Sequence, residues 1–164
     1  MTESAVYANV FDKSRELTRF YLSNLKSIDP YLITTLDGKT FNSIYWHVAH
    51  LIWAEDALVV RFTGGEPVAP DWIKNYELGS SGQRHDGHPD FKSLLQLMKE
   101  IHAKTLVYMR EFPDARLSQR NTSGIQFGDG DNSNRMLFVH AIRHEGVHAG
   151  HLGWLAKMHG IKLL

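Results

Sequence analysis

Apolar residues recur at helical spacing in four segments, which polar connections rich in glycine and proline separate. The spacing predicts helices over residues 2–28, 43–62, 91–112 and 133–159. In the first segment, the stripe expected to face the core contains Val6, Val10, Leu17, Phe20, Tyr21, Leu25 and Ile28. No strand pattern competes strongly, although residues 122–128 are compatible with a short extended or hairpin piece. The chain is therefore expected to be all-α.

Two of the predicted connections are long, at residues 65–90 and 113–132. Compact domains rarely contain structureless loops of this length. A four-helix bundle explains the first connection if helices 2 and 3 run parallel, because the chain must then travel the length of the bundle between them. We therefore expect one four-helix-bundle domain over residues 1–164, with a long crossover connection between helices 2 and 3.

Composition narrows the possible functions. The 18 Lys and Arg residues balance 18 Asp and Glu residues, so the chain lacks the basic surplus of an electrostatic nucleic-acid binder. No apolar run approaches the ~20 residues that span a bilayer, and residues 1–8 do not resemble a signal peptide, so we expect a cytoplasmic protein without a membrane partner. The chain contains no cysteine, so a metal site must use His, Asp, Glu or water.

The ten histidines are concentrated in two of the predicted helices. His140, His144, His148 and His151 fall within an arc of roughly 80° on helix 4. That arc also contains Leu137, Val147, Leu155 and Met158, which indicates a core-facing stripe. Histidines four residues apart on a helix present their rings side by side, as a transition metal requires.

Helix 2 carries the second group, His47 and His50, on or beside its apolar stripe. Either ring is placed to complete a site with helix 4. Three histidines from two helices leave coordination positions open, which is typical of a catalytic rather than a closed structural metal site. The alternative is a network of neutral, hydrogen-bonded histidines in the core.

Residues 144–148 also match the zinc-protease pattern H-E-x-x-H. Only sixteen residues follow His148, and none is Asp or Glu, so no downstream carboxylate ligand exists. The longer form of the pattern requires Gly where His151 stands and His where Trp154 stands. The context therefore argues against a protease.

Three glycines, Gly146, Gly150 and Gly153, lie on a flank of helix 4 next to the histidine stripe. Each costs about 1 kcal/mol relative to alanine inside a helix, so a compensating contact is expected. The hypothesis is a close approach of another helix, either within the bundle or across a two-fold axis between two copies.

The segments SIYWHVAHL (residues 43–51) and HEGVHAGHLGWL (residues 144–155) resemble the DinB-like, YfiT-like family of damage-inducible, metal-binding four-helix bundles. The resemblance implies an up-down-down-up bundle and a divalent metal held by His144, His148 and one helix 2 histidine. The W-x-x-A-H pattern of a related bundle domain in ergothioneine-synthesising sulfoxide synthases favours His50, with His47 as the alternative. His151 stands where relatives often carry glutamine, and is either an extra ligand or a partner of one.

Characterised relatives of this family include transferases and isomerases that use bacillithiol or mycothiol. The resemblance therefore implies a homodimeric, metal-dependent enzyme, with zinc or nickel expected first and iron next, that transfers a low-molecular-weight thiol to a small electrophilic substrate. Arg61 or Arg143 would bind a carboxylate of thiol or substrate, and Tyr45, Trp46 and Trp53 would line the acceptor pocket; a surface position for the arginines and core packing for the aromatics are the alternatives.

Two other functions stay open at this point. The first is metal-assisted hydrolysis, with Glu145 or Glu55 as the general base. The second is a non-catalytic module that binds a metal or another ligand in a stress response.

Overall fold

The structure is a computed structural model that describes residues 1–163. Four long helices dominate it, α1 (Glu3–Asn24), α2 (Ile44–Glu55), α3 (Phe91–Glu111) and α5 (Asn134–Met158), with a single-turn helix α4 (Asp114–Leu117). Helix α2 continues through a π-helical segment, Asp56–Val60, and a 3-10 turn, Arg61–Thr63. All four predicted helices are thus confirmed. Across residues 1–163, no helix is long and apolar enough to cross a membrane.

Each long helix begins at a polar side chain that accepts a hydrogen bond from a backbone N–H three residues later. These caps are Thr2, Ser43, Asp90 and Ser133. Each satisfies one of the N–H groups that the first turn of a helix leaves without a partner. Local sequence therefore sets where the helices start.

Contacts between the helices define their directions. The start of α2 meets the start of α3, where Tyr45 Oη donates to the carbonyl of Pro89 at 2.9 Å, so these helices run parallel. Helices α1 and α5 are also parallel, because Arg135 binds Glu3 near both N-termini. His47 of α2 pairs with His148 of α5, whereas the later His50 pairs with the earlier His144, so these two helices are antiparallel. The arrangement is up-down-down-up, as expected.

The crossover between α2 and α3 is structured. It contains a 3-10 helix, Asp71–Tyr76, whose Tyr76 is fully buried against α2. Asp56 Oδ1 accepts from the backbone N–H of Val68 at 2.7 Å and holds the first part of the crossover. This connection forms one wall of the site described below.

The extended structure differs from the expectation. An antiparallel hairpin joins β1 (Thr34–Leu36) to β2 (Lys39–Phe41) before α2, where the periodicity predicted no strand. Residues 122–128 form no strand; the loop is closed by isolated bridges, Arg120 with Ser133 and Phe127 with Asp131. The side-chain amide of Asn121 donates to the carbonyls of Ile125 and Asn132, which organises this loop.

The predicted core face of α1 is wrong over most of its length. Val6, Val10 and Leu17 are each 45% exposed and Phe20 is 39% exposed. The buried face instead consists of Ser4, Ala8, Phe11, Arg15 and Thr18. The polar members of this face are tolerated because they find partners on other elements: Ser4 binds Asp114 of α4, and Arg15 and Thr18 bind Glu145 of α5. Apolar periodicity does not reveal such pairs.

Candidate metal centre

The antiparallel packing of α2 against α5 brings the histidines of the two helices together. Their ring nitrogens form two overlapping groups, in each of which the candidate donor atoms lie within 4.8 Å of one another. One group is His50, His144 and His148, and the other is His47, His148 and His151. His148 belongs to both groups.

In the first group, the Nε2 atoms of His50 and His144 lie 3.2 Å apart. The ring of His148 is centred 4.4 Å from that of His144 and 4.8 Å from that of His50. His50 Nδ1 donates to the backbone carbonyl of Tyr76 at 2.6 Å. Because a carbonyl only accepts, the proton of a neutral His50 ring is on Nδ1 and the free lone pair is on Nε2.

In the second group, His47 Nδ1 and His148 Nδ1 form a hydrogen bond of 2.9 Å. His151 is exposed, and its ring is centred 5.5 Å from that of His47 and 5.3 Å from that of His148. His47 and His151 also line a cavity of about 210 Å³ that Phe41 and Trp154 border. This group therefore lies at the side of the histidine cluster that opens towards the β2–α2 junction.

His140 joins neither group. It is half-buried, its ring is centred 4.8 Å from that of Phe127, and its Nδ1 accepts from Arg143 Nη2 at 3.0 Å. Arg61 forms an ion pair of 2.9 Å with the buried Asp56. Each of the two candidate anion-binding arginines thus already contacts a side chain of this chain.

Burial favours the neutral form of His47, His50, His144 and His148. Desolvation, reinforced by the neighbouring histidines, lowers the pKa of His47 and of His144 to about 3. The pKa of His148 is lowered for the same reasons, and burial lowers the pKa of His50 as well. Neutral imidazole is the form that binds a transition metal, so the cluster is electrostatically suited to a cation.

Two tryptophans hold the ring of His50. Trp46 is stacked on it at 4.4 Å with an interplanar angle of 9°, and Trp53 lies at 5.4 Å and 27°. Trp46 Nε1 donates to Ser80 Oγ in the crossover at 2.9 Å. Tyr45 is fully buried in the core. These aromatics therefore support the cluster and the core around it.

Glu145 and Glu55, the two candidate bases, belong to a buried ion network. Arg15 donates to Glu145 from Nε at 2.7 Å and from Nη2 at 2.9 Å, and its Nη2 also donates to Glu55 at 2.9 Å. Thr18 donates to Glu145, and His102 Nδ1 donates to Glu55 at 2.7 Å. Burial opposes ionisation of Glu55, but Arg15 and His102 outweigh it, so the pKa of Glu55 lies below its ordinary value.

The glycines of α5 divide into two kinds. A Cβ atom on Gly153 would lie 3.1 Å from Cε1 of Tyr21, so this glycine permits the close approach of α1. A Cβ atom on Gly146 or Gly150 would meet nothing within 4 Å. Close packing within the bundle therefore accounts for Gly153 alone among the three. Val147, predicted to face the core, is 54% exposed on the same outer side.

Sequence reasoning missed Tyr76, which contacts His50, and the two residues that hold the neighbouring glutamates, Arg15 and His102. Tyr76 contributes its backbone carbonyl from the crossover, where no helical pattern singles it out. Arg15 and His102 lie on other helices and reach the glutamates through long side chains. An arginine on a line of small and apolar residues (Ala8, Phe11, Arg15, Thr18) was the one available signal, since a buried arginine requires a buried acid.

The sequence pattern of the DinB superfamily matches residues 11–152, which include the histidines of both motifs. The chain belongs to the DinB superfamily. A crystal structure of a conserved protein from Enterococcus faecalis is similar to this DinB-superfamily chain, with a TM-score of 0.61 and 14% sequence identity over 94% of this chain and 95% of the other. That likeness concerns the fold. A search of curated proteins finds no match.

Proposed function

We propose that His50, His144 and His148 hold one divalent transition metal, zinc or nickel in the first place and iron as the alternative. Two nitrogens bound to one tetrahedral metal at 2.0–2.1 Å lie about 3.4 Å apart. The 3.2 Å between His50 Nε2 and His144 Nε2 is close to that spacing. Metal-binding histidines usually donate a hydrogen bond from the ring nitrogen that does not bind the metal. The hydrogen bond from His50 Nδ1 to the carbonyl of Tyr76 is of this kind and orients the His50 ring.

His47 is better suited to hold His148 than to bind the metal. The 2.9 Å between their Nδ1 atoms is the length of a hydrogen bond. It is shorter than the distance of about 3.4 Å between two nitrogens that bind the same tetrahedral metal. If His148 uses Nε2 as its ligand atom, its Nδ1–H donates to His47. The non-ligating nitrogens of His50 and His148 then both have acceptors.

For the activity, we propose the transfer of a low-molecular-weight thiol to a small electrophile. The observation that carries this proposal is that the histidine cluster has no side-chain nucleophile and that both candidate carboxylate bases beside it are already engaged. The chain has no cysteine, and Glu145 and Glu55 are both engaged by Arg15. The nucleophile is then either water or a second substrate, and the engagement of both carboxylates favours a second substrate.

A divalent metal at this site would lower the pKa of a bound thiol and favour its thiolate form. The protein's own residues supply orientation and exclusion of water: Trp46 and Trp53 cover His50, and the small cavity beside His47 and His151 limits the size of the acceptor. Because such thiols stay reduced in the cytoplasm, we propose a cytoplasmic location.

Hydrolysis is the weaker enzymatic alternative, since both candidate bases already serve as partners of a buried arginine. A non-catalytic metal-binding module remains the alternative outside enzymes. The experiments below separate the three functions.

The first experiment measures metal content in tag-free protein. We expect nearly one metal per chain, lost in His50→Ala and His144→Ala and retained with weaker affinity in His47→Ala. His159→Ala is the matched control, because His159 is an exposed histidine outside the cluster. Loss of metal in His47→Ala with retention in His50→Ala would overturn the ligand assignment.

The second experiment measures the consumption of bacillithiol, mycothiol and glutathione with a panel of small electrophiles. Turnover that requires both thiol and metal supports the transferase. Steady turnover of esters or amides without thiol would identify a hydrolase. A metal-loaded protein inactive in both assays would favour the module.

We also propose a homodimer formed through α1 and α5. The outer faces of these neighbouring parallel helices expose six large apolar residues: Val6, Val10, Leu17, Phe20, Val147 and Trp154. Gly146 and Gly150 leave room there for a second copy. Gly150→Leu should lower the mass measured by light scattering, whereas Lys104→Leu on the exposed side of α3 should not. A monomeric wild type would refute the dimer.

A further inference from the structure

A second cleft lies between α1 and α3, lined by residues outside the histidine cluster. Its volume is about 720 Å³, within the usual range of small-molecule sites. Its apolar wall is formed by partly or fully buried side chains of both helices and of the segment after α1, among them Leu22, Ile28, Phe91, Leu95 and Met98. None of the histidines of the metal centre contributes to it.

All the charged side chains that line this cleft are basic. They are Arg15, Arg19, Lys26, Lys92 and Lys99. The whole chain has equal numbers of acidic and basic residues, so this lining is a local concentration of positive charge. Asp12 lies 3.9 Å from Arg19 Nη1, and the buried Glu145 and Glu55 compensate the charge of Arg15. Within residues 1–163, Lys26, Lys92 and Lys99 form no ion pair. Five cations against these three acids leave an excess of positive charge beside the apolar wall, which fits a ligand that is apolar along its length and anionic at one end.

Arg15 provides a separate indication that an acceptor oxygen is missing at this wall. It is completely buried, and Nε and Nη2 bind the two glutamates, but Nη1 has no hydrogen-bond partner. A buried N–H without an acceptor costs about 1–3 kcal/mol, so such a group is rarely left unpaired. Arg15 lies on the wall of the cleft, where a carboxylate would supply the acceptor.

The antiparallel packing of α1 and α3 places the charges in order along the cleft. His102 of α3 contacts Asp12 of α1, so these two positions lie side by side. Because the helices are antiparallel, Arg15, about one turn after Asp12, lies beside Lys99, about one turn before His102. Arg19 lies one further turn along α1. Leu22, Leu95 and Phe91 follow from there towards Ile28. The cleft therefore has Arg15, Arg19 and Lys99 at one end, Lys92 and Lys26 at the other, and the apolar wall between them.

We propose that this cleft binds a single-chain aliphatic carboxylate, with its carboxylate at Arg15, Arg19 and Lys99 and its chain along Leu22, Leu95 and Phe91. This site is independent of the proposed thiol transfer. It requires neither the metal nor the histidine cluster.

The test is the binding of laurate to the purified full chain, measured by calorimetry below the concentration at which laurate forms micelles. We expect one saturable site, much weaker binding of hexanoate, and none of dodecyltrimethylammonium, which has the same chain length and the opposite charge. Arg19→Glu with Lys99→Glu should raise the dissociation constant at least tenfold.

Three comparisons keep this test specific. Lys92→Glu at the far end should weaken laurate binding less than the double variant does, and Lys104→Glu, exposed on α3 outside the cleft, should leave it unchanged. Leu95→Glu should abolish binding while the melting temperature and the metal content stay near those of the wild type. Equal binding of the cationic amphiphile, an equal effect of Lys104→Glu, or no saturable site would overturn the proposal.

Discussion

Removing the positive charge of Arg15 should be among the most damaging single changes in this protein. Its guanidinium has no solvent exposure and makes three hydrogen bonds of 2.7–2.9 Å to Glu145 and Glu55. Arg15→Met keeps an unbranched apolar side chain of similar reach. It leaves two buried carboxylates without their cation.

The structure indicates the size of the effect. Breaking a buried ion pair by removing one partner costs about 3–5 kcal/mol, because the remaining charge is buried without compensation. For a domain of this length, each kcal/mol shifts the melting temperature by about 2–4 °C. Arg15→Met should therefore melt about 6–20 °C below the wild type.

The triple variant Arg15→Met, Glu55→Gln, Glu145→Gln provides the matched control, because it removes the uncompensated charges together with the arginine. We expect it to be more stable than Arg15→Met, since apolar or neutral replacements of a whole buried network are often tolerated. Urea unfolding of the metal-free proteins at pH 7.5, followed by circular dichroism, measures both. A loss of less than about 1 kcal/mol in Arg15→Met would refute the description of this network as buried and charge-paired.

Two further predictions concern the histidines and the glycines. Folding lowers the pKa of His47 from 6.5 to about 3, and that of His148 is also lowered, so the unfolded chain binds more protons below about pH 6.5. The unfolding free energy of the metal-free protein should therefore fall between pH 6.5 and 3, by up to about 1.4 kcal/mol per pH unit for each such histidine. Urea midpoints across this range measure the slope; His47→Phe should reduce it, and an unchanged slope would contradict the assignment. Gly153→Leu should destabilise by about 1–3 kcal/mol, because its side chain would collide with Tyr21. Ala103→Leu, at an exposed position of α3, is the control, and equal melting temperatures for the two variants would contradict the close approach of α1.

Local signals account for the parts of the fold that could be predicted. Thr2, Ser43, Asp90 and Ser133 cap helices that periodicity had already located, and the length of the crossover implied parallel second and third helices. The spacing of His144 and His148 likewise predicted their adjacency, because residues four apart on a helix lie on the same side.

The face of α1 that enters the core could not be predicted in the same way. Apolar periodicity favoured Val6, Val10, Leu17 and Phe20, all of which are exposed. The helix turns Arg15 inwards because Glu145, 130 residues later, supplies its counter-charge. Burial of a charge depends on a partner that is distant in sequence, so a pattern of single residues does not contain it.

The sequence by itself determined the helices, their order, and the presence of histidines on or beside the apolar stripes of two of them. Only the tertiary structure decided how His47 and His50 differ. Both lie on one side of α2. The crossover brings the carbonyl of Tyr76 to His50 Nδ1, whereas His47 Nδ1 is hydrogen-bonded to His148. The direction in which each ring presents its free nitrogen is set by these long-range hydrogen bonds, and residue spacing along one helix carries no information about them.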